Sequence, residues 1–310
     1  MEVVNFNEYL KKNDNFELSV SIGDFDGVHL GHQALIRKVK ELSKIHNSKS
    51  AIITFDPHPS MILGKTDEYE YVTPLNEKIR VLESYGLDYL ILIDFDETLM
   101  KTSPQDFVLN YLLKINVIDV VVGYDFTFGA NKLGEACMIN QLSSGKIRVE
   151  IIDEIKYKSS KVGTTLIKKE LKNGNLTDVY YMLGRFYRIC GIVGKGRGVG
   201  RTIELPTANI ITNENYVKVK PGVYGVIVTI FGKRYIGLAN YGHNPSFNYK
   251  NQLTLEVNII DCNQDLYNQN IIIDFVTYIR NEQVFGSKLE FLEQIEKDKK
   301  KIIEIVNKYL

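Results

Sequence analysis

The chain has 310 residues, and its 38 Lys and Arg balance 38 Asp and Glu. That length implies two domains at roughly 100–200 residues each, and zero net charge excludes a general nucleic-acid binder, which would be clearly basic. Hydrophobic residues at 44% and charged residues at 25% exclude a disordered or fibrous chain, and no apolar run nears the ~18 residues of a membrane helix.

The opening residues, MEVVNFNEYLKKND, do not read as a secretory signal. Leu18–Ile22 then reads as a short strand that ends in a Gly/Asp turn. In the helix that follows, Leu35, Val39 and Leu42 fall on one face of a 3.6-residue period. Ala51–Phe55 is a second apolar run, closed by Asp56-Pro57-His58-Pro59. Glu77–Ser84 reads as helix and Tyr89–Ile93 as strand. Pro104 opens a helix in which Phe107, Tyr111, Leu112 and Ile115 share a side. Val117–Val122 is a fourth strand, stopping at Gly123, and Val149–Ile152 a fifth. Short, continuously apolar strands separated by helices predict a doubly wound parallel sheet with helices on both faces.

From Phe186 onward the pattern alternates instead. Val223, Gly225, Ile227 and Thr229 share one face, and Tyr224, Val226, Val228 and Ile230 the other. Phe231-Gly232-Lys233 suggests a hairpin into Tyr235–Ala239, and Leu255–Ile260 and Ile271–Tyr278 add strands. This predicts an antiparallel set small enough to close as a barrel. Residues 288–309 read as a final helix with Leu289, Leu292, Ile295, Ile302, Ile303 and Val306 on its apolar side. The run Lys297–Lys301 reads as a solvated face. The expected class is therefore α/β plus β, with domains at 1–183 and 184–310. Cys137, Cys190 and Cys262 are scattered, as reduced cytoplasmic thiols are, so the expected location is cytoplasmic.

The segment Ser21-Ile22-Gly23-Asp24-Phe25-Asp26-Gly27-Val28-His29-Leu30-Gly31-His32 carries the most chemistry in the first half. Its glycines allow close backbone approach, and a helix N-terminus offers free N–H groups to an anion. Two imidazoles three residues apart can donate to phosphate oxygens as charge develops. Only five histidines exist in the chain, and two lie here. A metal would need a third ligand, and none is evident.

This segment resembles the HxGH nucleotidyltransferases. More closely, the chain resembles the bacterial bifunctional riboflavin kinase/FMN adenylyltransferase, or FAD synthetase, family. Thr54-Phe55-Asp56-Pro57-His58-Pro59 matches the family's TFDPHP, and Gly123–Gly129 with Gly134 matches its GxDFxFGxxxxG. The resemblance implies catalysis by His29 and His32. It also implies ATP binding by Gly23, Phe25, Asp26, Gly31, Thr165 and Lys168, and FMN binding by Phe55, Pro57, His58, Asp125 and Phe128. One motif departs: the family's ISSTRIR aligns with Val162–Lys168, where Gly163 replaces a serine and Leu166 and Lys168 replace two arginines. Lysine is a point charge where arginine offers a bidentate fork.

In the second half, Gly191–Arg201 is glycine-dense and basic but lacks the Lys-Ser/Thr of a Walker loop. Leu205-Pro206-Thr207-Ala208-Asn209 then matches the PTAN signature of riboflavin kinases, although Glu204-Leu205 replaces the usual Gly-Phe. Hydroxyl and amide oxygens suit Mg²⁺ held together with substrate phosphates. Ala239–Phe247 resembles ANxGxxPTF, and Thr254–Asp261 an ExH-type strand with Asn258 in the histidine place. Ile279–Ser287 matches IRxExxFxS. The resemblance implies Glu256 as general base, Thr207 and Asn209 at the metal, and Asn240, Arg280 and Phe285 at the flavin. It places Gly191, Lys195, Gly196, Gly200 and Arg201 at the ATP phosphates.

The implied activity is phosphorylation of riboflavin to FMN and adenylylation of FMN to FAD, with ATP as co-substrate and Mg²⁺ as cofactor. The implied partners are riboflavin, FMN, FAD and ATP, with no nucleic acid or membrane, in a monomer or weak homo-oligomer. Two alternatives stand beside it: a riboflavin kinase whose N-terminal site is weakened at Gly163, Leu166 and Lys168, and a flavin-binding sensor on a retired enzyme fold. Intact Thr207, Asn209 and Glu256 speak against the sensor.

Overall fold

A computed structural model of the chain describes residues 1–12, 16–64, 66, 68–194, 207–243, 253–262 and 264–310. They form two compact units, Met1–Thr164 and Thr165–Leu310.

The first unit is a wound sheet. In chain order its elements are β1 (Glu2–Asn5), α1 (Phe6–Lys11), β2 (Leu18–Ile22), α2 (Leu30–Ile45), β3 (Lys49–Asp56), α3 (Pro59–Ile62), α4 (Leu75–Glu83), β4 (Tyr89–Asp94), α5 (Glu97–Lys101), α6 (Pro104–Phe107) and β5 (Val117–Gly123). After these come the small pair β6 (Thr127–Phe128) and β7 (Gly134–Glu135), then α7 (Met138–Leu142), β8 (Arg148–Ile152) and the ribbon β9 (Lys156–Tyr157) and β10 (Ser160–Lys161). Six strands pair in the order β1-β4-β3-β2-β5-β8, all parallel.

Alternate side chains feed two cores. Ile52, Leu90 and Val121 meet Ile36 and Val39 of α2 and Leu82 of α4. Val20, Ile53, Ile91 and Val120 meet Phe6 of α1 and Phe107, Val108 and Leu112. Both faces are covered, as a parallel sheet requires. The sheet has one strand more than the sequence reading supplied. β1 is four residues long and half-exposed at the sheet edge, and a Val-Val pair alone carries no period. Beyond Phe107 the expected α-helix continues as a π turn over Val108–Leu112 and a 3-10 turn over Leu113–Ile115, ending at Asn116 with φ 57°.

At the amino ends of β2 and β5 the buried carboxylate of Asp119 accepts from Ser19 Oγ (2.6 Å) and Arg148 Nε (2.7 Å) and pairs with His46 Nδ1 (2.8 Å). Burial pushes this carboxyl up, but the hydrogen bonds from Arg148, Ser19 and His46 outweigh it and hold the group below the usual carboxylate range. A depressed carboxyl contributes stability above its unfolded pKa, about 4, and loses it as pH falls through the folded value. Asp119→Asn is expected to destabilise this unit by roughly 2 kcal/mol at pH 7, the half-exposed Arg148 keeping the loss below that of a fully buried pair. Urea melts should show the gap between variant and parent narrowing as pH falls below about 4.

The second unit begins with α8 (Thr164–Asn173), shared across the division, and α9 (Leu176–Leu183), closed by Gly184 at φ 67°. Its strands are β11 (Tyr187–Gly194), β12 (Ala208–Ile211), β13 (Gly222–Ile230), β14 (Lys233–His243), β15 (Leu253–Ile259) and β16 (Asn270–Arg280), followed by α10 (Lys288–Val306). They close as an antiparallel barrel in the order β11-β12-β15-β14-β13-β16. Phe231 (φ 52°) and Gly232 (φ 71°) make the β13–β14 turn, both left-handed as a tight two-residue hairpin demands.

The alternation in β13 sorts two layers. Tyr224 packs on Phe275 at 5.2 Å, whereas Val223 and Ile227 face Ile295, Ile302 and Val306 of α10. Gly225 lets that helix approach: a Cβ there would lie 3.2 Å from both Ile302 and Val306. The apolar stripe of α10 is narrower than expected. Leu289 is 68% and Ile303 40% exposed, because the buried row runs Ile295, Asp298, Ile302, Val306. Asp298 therefore leaves the charged run and turns inward.

Candidate active sites

The motif loops of the first unit leave the carboxyl ends of β2, β3 and β5. In an open α/β sheet, ligands bind where successive connections run in opposite directions. Here β2 connects outward to β3, while β5 lies on the other flank.

Between β2 and α2 the backbone is strained. Phe25 (φ 50°) and Val28 (φ 40°) are left-handed, together with Gly27 (φ 89°). Such conformations in non-glycine residues cost on the order of 1–3 kcal/mol each and persist only where the surroundings over-determine them. They do here. Asp24 O accepts from Lys78 Nζ (2.6 Å) and Thr54 Oγ1 (3.2 Å), and Asp26 O accepts from Thr164 Oγ1 (2.9 Å). The buried Asp26 carboxylate accepts from Thr73 N (2.9 Å) and Tyr69 OH (3.1 Å).

The loop delivers His29 to the N-cap of α2, where Nδ1 accepts a long bond of 3.4 Å from His32 N. The imidazoles of His29 and His32 stack at 3.7 Å and 18°, and buried Phe25 backs His32 at 4.8 Å. Gly31 makes this possible: a Cβ there would lie 3.0 Å from His29 Cε1. Gly23 has no such constraint, its nearest neighbour being Phe25 at 3.6 Å. Two imidazoles thus sit at the N-terminus of a 16-residue helix, the arrangement suited to an anion.

After β3, Pro57 follows a cis bond and His58 caps α3, its Nδ1 accepting from Ser60 N at 3.1 Å. His58 Nε2 lies 3.4 Å from Asp24 Oδ2, and its ring stacks on Tyr69 at 3.6 Å. This ties the second motif to the first. Phe55 meets Phe95 edge-on at 5.7 Å. After β5, Asp125 pairs with Lys161, which also lies over Tyr124. Phe128 is 7% exposed, between Phe107 and Phe126, and Gly134 clears its ring. Thr165 and Lys168 stand in the first turns of α8.

In the barrel, register does the assembling. Glu256 of β15 pairs with Asn209 of β12 on one side and Asn240 of β14 on the other. Three polar residues far apart in sequence thus form one row across three strands, with Thr207 just before β12. All four are half-buried. Asn240 Nδ2 donates to Glu282 Oε1 at 3.5 Å, and the Glu282 carboxylate fills the space that a side chain at Gly242 would need. Arg280 binds Asp298 through Nε and Nη2, both at 2.8 Å, and lies over Phe285 at 5.7 Å. Gln294 holds the other Asp298 oxygen at 2.8 Å. Gly191 lies in β11, where a Cβ would meet Ile211 O at 2.5 Å, so strand approach already demands a glycine. Lys195, Gly196, Gly200 and Arg201 lie outside the described residues.

The sequence reading missed Lys78, Tyr69, Asp298 and the tie from His58 to Asp24. Lys78 left a signal: it sits four residues before buried Leu82, on the same stripe of α4.

The family model for FAD synthetase matches residues 11–166, and that for riboflavin kinase matches residues 183–306. The bifunctional riboflavin kinase/FMN adenylyltransferase of Bacillus subtilis is 36% identical over 298 residues, covering 95% of this chain and 94% of the relative. That of Escherichia coli K12 is 33% identical over 283 residues, covering 90% of each. A crystal structure described as a macrolide-efflux protein from Streptococcus pneumoniae has a TM-score of 0.89 at 27% identity, covering 100% of both chains. Among the described residues no helix is long and apolar enough to cross a membrane. With both family models matched in order along its length, this chain belongs to the bifunctional riboflavin kinase/FMN adenylyltransferase family.

Proposed function

We propose that the barrel row Asn209–Glu256–Asn240 is the riboflavin kinase site and the stacked His29–His32 pair the FMN adenylyltransferase site of a chain that makes FMN and then FAD. The register row carries the reading, since only strand pairing brings those three residues together. We assign residues 1–183 to adenylyl transfer and 184–310 to phosphorylation.

In the kinase step Glu256 accepts the proton of the riboflavin 5′-hydroxyl as its oxygen attacks the terminal phosphorus of ATP, and ADP leaves. Asn240 orients the ribityl chain, and Arg280 and Phe285 stand at the flavin. Asp298 holds that arginine fixed. The donor set of Thr207 and Asn209 is hard oxygen, which fits Mg²⁺ shared with ATP phosphates; a bound ion there would offset charge on the phosphates.

In the second step an oxygen of the FMN phosphate attacks the α-phosphorus of ATP, and pyrophosphate leaves. The nucleophile is already anionic, so no general base is required. His29, His32 and the N-terminus of α2 stabilise the developing charge. His58, fixed by Asp24, and Asp125, paired with Lys161, frame the FMN side. The scattered free cysteines support a reducing, cytoplasmic setting. Incubating one preparation with riboflavin, ATP and Mg²⁺, and separately with FMN, ATP and Mg²⁺, tests the reading by chromatography. Both products are expected; FMN alone would favour the weakened N-terminal site.

The 163–168 stretch is where adenylyl transfer can be improved. A Cβ at Gly163 meets nothing within 4 Å, so serine fits. The triple variant Gly163→Ser, Leu166→Arg, Lys168→Arg restores the family's hydroxyl and two guanidinium forks. It is expected to raise kcat/KM for FAD formation by about tenfold, measured against unchanged FMN formation.

A further inference from the structure

We propose that Lys78 is a positioning residue for adenylyl transfer, its ammonium fixing the Asp24 carbonyl and with it the strained loop that delivers His29 and His32. The inference rests on the N-terminal site reading above. Lys78 is 4% exposed and serves none of the roles assigned so far. Its Nζ donates to Asp24 O at 2.6 Å. Burying an ammonium is costly unless the charge is compensated, and an apolar residue would fill this stripe of α4 at no such cost.

Burial pulls the Lys78 amine below the usual lysine range, while Asp26, Asp24 and Asp56 act to keep it charged. The backbone it grips is the one with left-handed Phe25 and Val28. Beside the ties from Thr54, Thr73, Tyr69, Thr164 and His58, Lys78 makes the shorter of the two bonds to the Asp24 carbonyl, 2.6 Å against 3.2 Å from Thr54.

The test is Lys78→Met in the full chain, with both activities assayed on one preparation. Losing a charge-assisted bond that holds the reacting groups is expected to lower kcat for FAD formation by about 30-fold. KM for FMN and the rate of FMN formation should stay within about twofold, because binding contacts and the barrel are untouched. A kcat for FAD within about threefold of the parent overturns the proposal. So does a loss that disappears on cooling well below the melting point, since that marks a merely structural role. Should Lys78→Met not fold, Lys78→Gln keeps a polar but shorter side chain that cannot reach as Nζ does, and a fall of about fivefold in kcat at constant KM is expected; no change overturns the proposal. A parent protein that makes FMN but no FAD would instead refute the N-terminal site reading itself, and the parent control reads this separately.

Discussion

Glu256→Gln is expected to lower FMN formation by about 10²–10⁴-fold, the range for removing a positioned general base. FAD formation from supplied FMN should be unchanged in the same sample. Glutamine keeps the length and shape of the side chain, and Glu256 lies between Leu255 (6% exposed) and Val257 (0%), whose packing holds β15 in register with β12 and β14. The variant therefore removes proton acceptance with little cost to the barrel. Product analysis by chromatography, with a thermal melt to show the fold retained, checks it. Residual FMN formation within tenfold of the parent would show that the hydroxyl proton leaves by another route.

The converse is expected at the other site. His29→Ala should lower FAD formation by about 10²–10³-fold, or roughly 3–4 kcal/mol of transition-state stabilisation, while riboflavin phosphorylation continues. Alanine also removes the cap of α2, at about 1 kcal/mol. His29→Asn separates the effects, since asparagine caps well but cannot replace the stacked imidazole. Equal losses of activity in the two variants, with the melting point restored only in His29→Asn, would assign the loss to the ring. Gly31→Ala adds a third arm: alanine favours helix, yet its Cβ would press on His29 Cε1 from 3.0 Å. A more stable helix with slower FAD formation is expected.

The parts of the site carried on contiguous residues were legible in the sequence. The strand–Gly–His–Gly–His order places two imidazoles at a helix start because each step is local: an apolar run, a turn, a cap. Gly225 and the alternation of β13 were visible as a period of two. The role of Gly225 as clearance for α10 was not, because the clashing atoms belong to Ile302 and Val306. Lys297–Lys301 read as a uniformly solvated run because charge is averaged along the chain, whereas burial is set by helical phase. Asp298 shares the phase of Ile295 and Ile302, and Arg280 meets it there.

By itself, then, the sequence determined two domains, a parallel sheet followed by an antiparallel barrel, and the two motif sets by which the chain resembles its family. Those follow from periodicity and from short-range backbone geometry, which neighbouring residues dictate. Tertiary structure alone decided that Asn209, Glu256 and Asn240 lie in one row. It also decided that Asp26 points inward to Tyr69 and Thr73, and that the buried Lys78 Nζ donates to the Asp24 carbonyl. Each of these is a contact between residues distant in sequence, fixed by strand register or by packing a helix on a sheet, and such contacts leave little trace in local pattern.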